Sequence, residues 1–367
     1  MVTKLQTGLL AFAGTVALVY GLRYLAQRYG LVDAPDHRKR HAEATPLVGG
    51  LAIFGGMLAA ALTVEGLLVK RDELLVGLGL LLLTGMIDDR GGLPPRTRLL
   101  IQVLAAMIMV LLGDVRLDHL GNLFGTGDIH LGIWSVPLTV FAVVGVINAI
   151  NMIDGADGLA GGIALIVLVI FFSFSYTADN TQGMLLMLLS FGIAGFMAFN
   201  MRSPWRSRAS VFLGDAGSMM LGFALAWYAV ELAAVRQVMT PITAVWILGI
   251  PLMDTVSLMI RRMLKGRSPF SADRDHLHHI LQRAGYTHGQ SVALICLLSL
   301  LMAVLGVLGW GFGVPEYVMF YAFMILFGLY FYGMLHAWKL MKLIRRAHDG
   351  LDAQRAPTTE MRLPGGD

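Results

Sequence analysis

Long apolar runs, each broken by a short polar stretch, recur along the whole 367-residue chain. A helix needs about 20 mostly apolar residues to cross a bilayer. Windows of that kind fall at roughly 6–25, 47–64, 73–87, 98–113, 132–149, 159–177, 183–200, 211–229, 243–261, 291–310 and 315–337. The pattern predicts an all-α, polytopic integral membrane protein of about eleven transmembrane helices, the third being the shortest. Only Lys4 precedes the first apolar core and no small-residue cleavage site follows it, so this window reads as a retained helix rather than a signal peptide. Pro251 lies inside the ninth window and predicts a bend, with Asp254 one turn further on. Residues 1–346 read as a single transmembrane domain. From Ala347 the periodicity gives way to Pro, Gly and charge, and 347–367 reads as a disordered tail.

Composition agrees with the pattern. The chain is 56% hydrophobic and only 14% charged, with a mean hydropathy of +0.69, which excludes an ordinary soluble domain. Its 43 glycines suit helices that pack closely in lipid, and Gly49, Gly50, Gly55 and Gly56 are the clearest candidates for such contacts. The one cysteine, Cys296, can form no intramolecular disulfide and leaves the redox compartment open. Charge sets the orientation. Of the 28 Lys and Arg residues, 23 fall on one set of alternate connections and only Lys4, Lys70, Arg71, Arg116 and Arg236 on the other. Basic residues stay on the cytoplasmic side, so the N-terminus is expected outside, in the periplasm, and the C-terminus in the cytoplasm.

The chemistry-bearing clusters all fall on that basic side: Asp88-Asp89, the stretch from Asn148 to Gly158, Gly214-Asp215-Ala216-Gly217-Ser218, and His276-Leu277-His278-His279. Asp154 and Asp157 are three residues apart, so on a helical turn they share a face and repel unless a cation or proton intervenes. Asn, Asp and Gly are equally common as turn formers between helices. Asp88 and Asp89 are adjacent and point in different directions, which suggests separate jobs: one could hold a metal or deprotonate an acceptor while a nearby arginine fixes the other. A merely polar helix end is the simpler reading of that pair alone. Asp215 starts a glycine-flanked helix, where a carboxylate can bind magnesium or simply cap the helix. The loop from Arg261 to His279 is basic and histidine-rich, as a phosphate-binding lid would be; its arginines alone would equally serve as a topology signal. No cysteine accompanies the histidines, so oxygen donors and a hard ion fit better than zinc. A transporter or lipid flippase is the competing class, although its polar groups would more often sit near the bilayer midplane.

As a set, Thr45-Pro-Leu-Val-Gly-Gly50, Asp88-Asp89, Asn148-Ala-Ile-Asn-Met-Ile-Asp-Gly-Ala-Asp-Gly-Leu159, Phe212-Leu-Gly-Asp-Ala-Gly-Ser218 and His276-Leu-His-His279 resemble the polyprenyl-phosphate N-acetylhexosamine-1-phosphate transferase family across nearly the whole chain. Ile250-Pro-Leu-Met-Asp254, Ser268-Pro-Phe270 and Ile280-Leu-Gln-Arg-Ala-Gly285 are similar to its WecA-like branch. The resemblance implies transfer of N-acetylglucosamine 1-phosphate from UDP-GlcNAc to undecaprenyl phosphate, releasing UMP and starting O-antigen or a related surface glycan. Another UDP-N-acetylhexosamine is the alternative donor. It implies Mg2+ as the cofactor, with Mn2+ as its alternative, and Asp215 as the main metal ligand. It places Asp88 and Asp89 as the catalytic pair and Asn148, Asn151, Asp154, Asp157 and Phe212 around the nucleotide sugar. Arg262, His276, His278 and His279 would handle the diphosphate. Arg96 stands where the family often has lysine, and the spacer from Asn200 to Phe212 looks longer and more basic than in relatives of the MraY branch, so Asn200 is not assigned as a nucleotide contact. The expected setting is the bacterial inner membrane with the site facing cytoplasm, membrane lipid as surroundings, no nucleic-acid partner, and a homodimer as one assembly open to such a chain.

Overall fold

The computed structural model describes residues 4–33, 44–175, 180–203, 205–269, 276–336 and 341. The tail expected over 347–367, and Asp273 to Asp275 of the basic loop, lie outside the described residues. The helices are α1 (Lys4–Tyr29), α2 (Gly49–Ala61), α3 (Asp72–Gly91), α4 (Pro95–Leu111), α5 (Ser135–Ile153), α6 (Leu159–Ser175), α7 (Asn180–Asn200), α8 (Gly214–Val230), α9 (Pro241–Ile247), α10 (Gly249–Leu264), α11 (Leu277–Arg283), α12 (His288–Gly311) and α13 (Glu316–Leu335). A two-residue antiparallel ladder, β1 (Val32–Asp33) with β2 (Thr45–Pro46), follows α1.

Each of the eleven predicted windows lies over a helix, with α9 and α10 sharing the ninth. Among the described residues six helices are long and apolar enough to cross a membrane, or seven if α9 and α10 form one broken span. The protein is therefore a helical, polytopic membrane protein. α2 and α6 are apolar but shorter. α11, absent from the apolar pattern, is a short amphipathic helix in the histidine loop.

The bend expected at Pro251 lies three residues earlier. α9 and α10 meet at Leu248 at an angle of 80°. A proline ring clashes with the carbonyl four residues before it, here that of Ile247, which is where α9 ends. Pro251 itself sits in the first turn of α10, where its missing N–H is no loss.

α8 is the axis of the bundle: from Ala216 to Val230 every residue is buried, against α2, α3, α5, α6 and α9. Small residues allow that approach, as expected where lipid supplies no hydrophobic drive between helices. A Cβ on Gly50 would lie 2.4 Å from Gly217 Cα, and one on Gly85 would lie 2.2 Å from Ala216 Cα. The ends of α3, α5, α7 and α10 and the starts of α4, α6, α8, α11 and α12 gather at one end, tied by the side-chain contacts described next. At the other end Arg71 and Arg236 meet the buried Glu231, and the Glu316 carboxylate accepts from the Asn122 N–H.

Candidate active site

The two adjacent aspartates at the end of α3 do take separate partners. Asp89 reaches across to α8, where its carboxylate accepts from the backbone N–H of Asp215 (2.8 Å) and of Ala216 (3.1 Å). It is thus a tertiary cap for a helix with no side-chain cap of its own, with its carboxyl oxygens at the N-terminal end of that helix. Gly214 makes room for it: its φ is +76°, and an added Cβ would sit 2.6 Å from Asp89 Oδ2. Asp88 turns the other way. It accepts from the Leu93 N–H (2.6 Å) and from Arg98 Nη1 (2.8 Å), and that same guanidinium nitrogen lies 3.9 Å from Asp215 Oδ2.

Asp215 is held from a third helix. Asn151, near the end of α5, donates from Nδ2 to Asp215 Oδ1 (2.6 Å) and lies 2.9 Å from Ser218 Oγ. One turn deeper, Asn148 spends its amide on Gln102 Oε1 (2.7 Å) and the Val144 carbonyl (2.8 Å), linking α5 to α4.

The connection after α5 carries Asp154 and Asp157. Asp154 is pushed up to about 8 by burial first and then by the charges of Asp215, Asp89 and Asp157. It faces the site as a neutral acid at pH 7 unless a cation joins it. Asp157 is committed to the following loop, accepting from Arg202 Nε (2.7 Å) and the Ala209 N–H (3.2 Å). Asn200, left unassigned as a nucleotide contact, is a buried brace: its Oδ1 accepts from the Gly158 N–H (2.7 Å) and its Nδ2 donates to the Val211 carbonyl (2.9 Å). Phe212, half-buried, anchors the chain beside β2 through backbone bonds to Pro46 and Gly49.

The histidines close the same end. His278 is buried and packs over Gly155, where a Cβ would come within 2.8 Å of its ring. Burial, and then the rings of His279 and His276, hold it down to about 3, so it stays uncharged at neutral pH. Among the described residues its Nε2 has no hydrogen-bond partner. His276 stacks on His278 with ring centres 5.8 Å apart and bonds through Nδ1 to Asp254 Oδ2 (2.9 Å). Arg262, also buried, donates to the Pro269 carbonyl (2.7 Å) at the base of the loop. Arg96 is exposed, and Arg98, two residues on and facing another way, makes the aspartate contacts instead.

Among the described residues no three His, Cys, Asp or Glu side chains form a metal cage. The donors present are carboxylate oxygens of Asp88 and Asp215 with a single guanidinium beside them. That set fits magnesium, which takes one or two carboxylates and completes its octahedron with water and substrate phosphate oxygens. Thus helices α3, α5 and α8 bring Asp88, Asp89, Asn151, Asp154 and Asp215 together, α11 adds His278 across Gly155 with His276 stacked on it from the cap position, and Asn148 lies one layer below. Sequence spacing anticipated an arginine beside the aspartate pair without singling out Arg98, and marked Asp254 through its in-span proline without its pairing to His276.

A polytopic membrane protein with oxygen donors, arginines and histidines converging at one end of the bundle has the equipment of a phosphoryl-group transferase. The chain belongs to glycosyl transferase family 4, whose model matches residues 73–233. Over most of its length it is similar to the undecaprenyl-phosphate alpha-N-acetylglucosaminyl 1-phosphate transferase of Haemophilus influenzae, at 39% identity over 91% of this chain and 95% of that protein. The protein of the same name from Pasteurella multocida is 40% identical over 92% and 95% of the two chains, and that of Escherichia coli K12 is 37% identical over 94% of each.

Proposed function

We propose that this enzyme transfers N-acetylglucosamine 1-phosphate from UDP-GlcNAc to undecaprenyl phosphate in the bacterial inner membrane. A phosphate oxygen of the lipid attacks the β-phosphorus, the bond from that phosphorus to the bridging oxygen breaks, and UMP leaves with the bridging oxygen. The lipid diphosphate sugar is the product that starts O-antigen or a related surface glycan. The observation that carries the reading is the contact of Asp88, Arg98, Asp215 and Asn151, drawn from α3, α4, α8 and α5, at one end of the bundle.

Asp215 and Asp88 would hold Mg2+, or Mn2+ in its place, which when bound offsets charge on the diphosphate. Arg98 steadies both carboxylates, and Asn151 fixes Asp215 in one rotamer. Neutral Asp154 and the ring of His278 line the route by which the nucleotide sugar enters, while Arg262, His276 and His279 face its phosphates. A lipid phosphate is already largely anionic near neutral pH and needs little deprotonation. Asp88 and Asp89 are each held by two donors, which favours direct displacement over a phosphosugar-aspartate intermediate. Eleven membrane crossings with the N-terminus in the periplasm agree with the placement of Arg90, Arg98, Arg202 and Arg262 at the site end.

Proteoliposomes holding the purified protein, undecaprenyl phosphate and Mg2+ test the donor when offered UDP-GlcNAc, UDP-GalNAc and other UDP-sugars in parallel. Sugar label should enter the lipid fraction from UDP-GlcNAc. Label that crosses the membrane without joining lipid would show a transporter instead.

A further inference from the structure

His276 is not an isolated ring at the mouth of the loop. Asp254, 2% exposed on α10, accepts from His276 Nδ1 through Oδ2 (2.9 Å), while its Oδ1 accepts from the Leu277 N–H (3.2 Å) and from Tyr330 Oη on α13 (2.7 Å). A buried carboxylate bonded three ways by a histidine, a backbone amide and a tyrosine is far more ordered than a simple interfacial charge needs to be. The break at Leu248 contributes, because it lets α10 present Asp254 beneath the start of α11.

We propose that Asp254 is a positioning residue for phosphate recognition, acting through His276, with Tyr330 fixing the carboxylate. The inference rests on the reading that His276 meets the substrate diphosphate. An ionised carboxylate can only accept hydrogen bonds, so Nδ1 of His276 carries hydrogen and Nε2 is the nitrogen that addresses substrate. A phosphate oxygen also only accepts. With Asp254 on one nitrogen and phosphate on the other, the ring binds as imidazolium, and Asp254 offsets its charge. The Leu277 bond couples this to the loop's shape: the same carboxylate that sets the ring also starts the helix bearing His278 and His279.

The test is a double-mutant cycle in the full-length enzyme in proteoliposomes. His276→Ala alone tests the underlying reading: a rate close to wild type would mean that His276 does not meet the diphosphate. Given a loss there, Asp254→Asn should lower kcat/KM by roughly ten- to hundredfold, the scale for losing a hydrogen bond to a charged group. Tyr330→Phe, which keeps the ring, should cost a few-fold. Adding Asp254→Asn to His276→Ala should then cost almost nothing more, since the aspartate has no ring left to orient. Asp254→Glu should recover part of the Asn loss. Nitrogen NMR of labelled histidine should show the Nδ1-bonded ring of His276 in the wild type and lose that signature in Asp254→Asn while the unfolding midpoint of the Tyr330→Phe protein stays near wild type. Multiplying losses in the double variant, or an Asp254→Asn enzyme at wild-type rate, would overturn the proposal.

Discussion

Substituting Asp89 separates a structural from a chemical role for the second carboxylate of the pair. Its two oxygens accept from the first amides of α8, at 2.8 and 3.1 Å, and one of those amides belongs to Asp215. Asp89→Ala removes the cap, a loss of about 1–2 kcal/mol in the stability of the end of α8. Asp89→Asn keeps one acceptor oxygen and should lose about half as much. Both changes loosen the backbone of Asp215, and a displacement of about 1 Å at a reacting centre can cost about a hundredfold in rate. Activity should therefore fall in the order wild type, Asn, Ala, in step with the unfolding midpoint measured by intrinsic fluorescence in detergent. An Asp89→Asn protein with an unshifted midpoint and a rate at least a thousandfold down would refute the capping account and make Asp89 a participant in the chemistry.

Other consequences can be measured separately. Gly214→Ala should resemble Asp89→Ala, because its methyl would meet Asp89 Oδ2 at 2.6 Å on a backbone whose φ of +76° disfavours a side chain; a fully active Gly214→Ala enzyme would count against so tight a cap. Gly155→Ala would push against His278 at 2.8 Å, and should raise the KM for the nucleotide sugar more than it lowers kcat, as steady-state kinetics would show. Asp154 has a folded pKa of about 8 against an ordinary 3.8. The folded protein therefore holds an extra proton between these values, and the stability that proton contributes is lost as pH rises through about 8. A cation held by Asp215 and Asp88 reverses the preference, because it offsets the Asp215 charge that acts on Asp154. Adding Mg2+ at pH 7 should release protons, detectable by calorimetry in two buffers of different ionisation enthalpy, and the release should fade above about pH 9; no release at pH 7 would place Asp154 outside the field of the ion.

Much of the fold was legible because membrane helices are written in single-residue chemistry. A run of apolar residues announces itself without its partners, and all eleven windows lie over helices, although among the described residues only six or seven are long and apolar enough to cross a membrane. The glycine contacts were legible for the same reason: Gly50 and Gly56 have room only for hydrogen where helices touch. What was not legible were the pairings. Asp89 and the amides it caps are more than a hundred residues apart, and nothing near position 89 specifies α8 as its partner. Asp254 and His276 are 22 residues apart, one on α10 and the other just before α11. The bend assigned to Pro251 fell at Leu248 because the ring's clash acts on a carbonyl one turn upstream, so the proline marks the restart of the helix and not its break. The stretch from Asn148 to Gly158 stood out as a unit, yet it divides in space. Asn148 braces α4, Asn151 holds Asp215, Asp154 faces the carboxylates and Asp157 ties down the loop after α7.

The central claim is that a sugar and its phosphate move together. UDP-GlcNAc labelled with 32P in the β-phosphate and 14C in the sugar, given to purified enzyme with undecaprenyl phosphate and Mg2+, measures that directly. Both labels should reach the lipid in equal amounts, with one UMP formed for each, and Asp215→Asn should abolish the transfer while leaving the protein inserted in the membrane. Sugar label entering lipid without the phosphorus, with UDP as the released nucleotide, would contradict it.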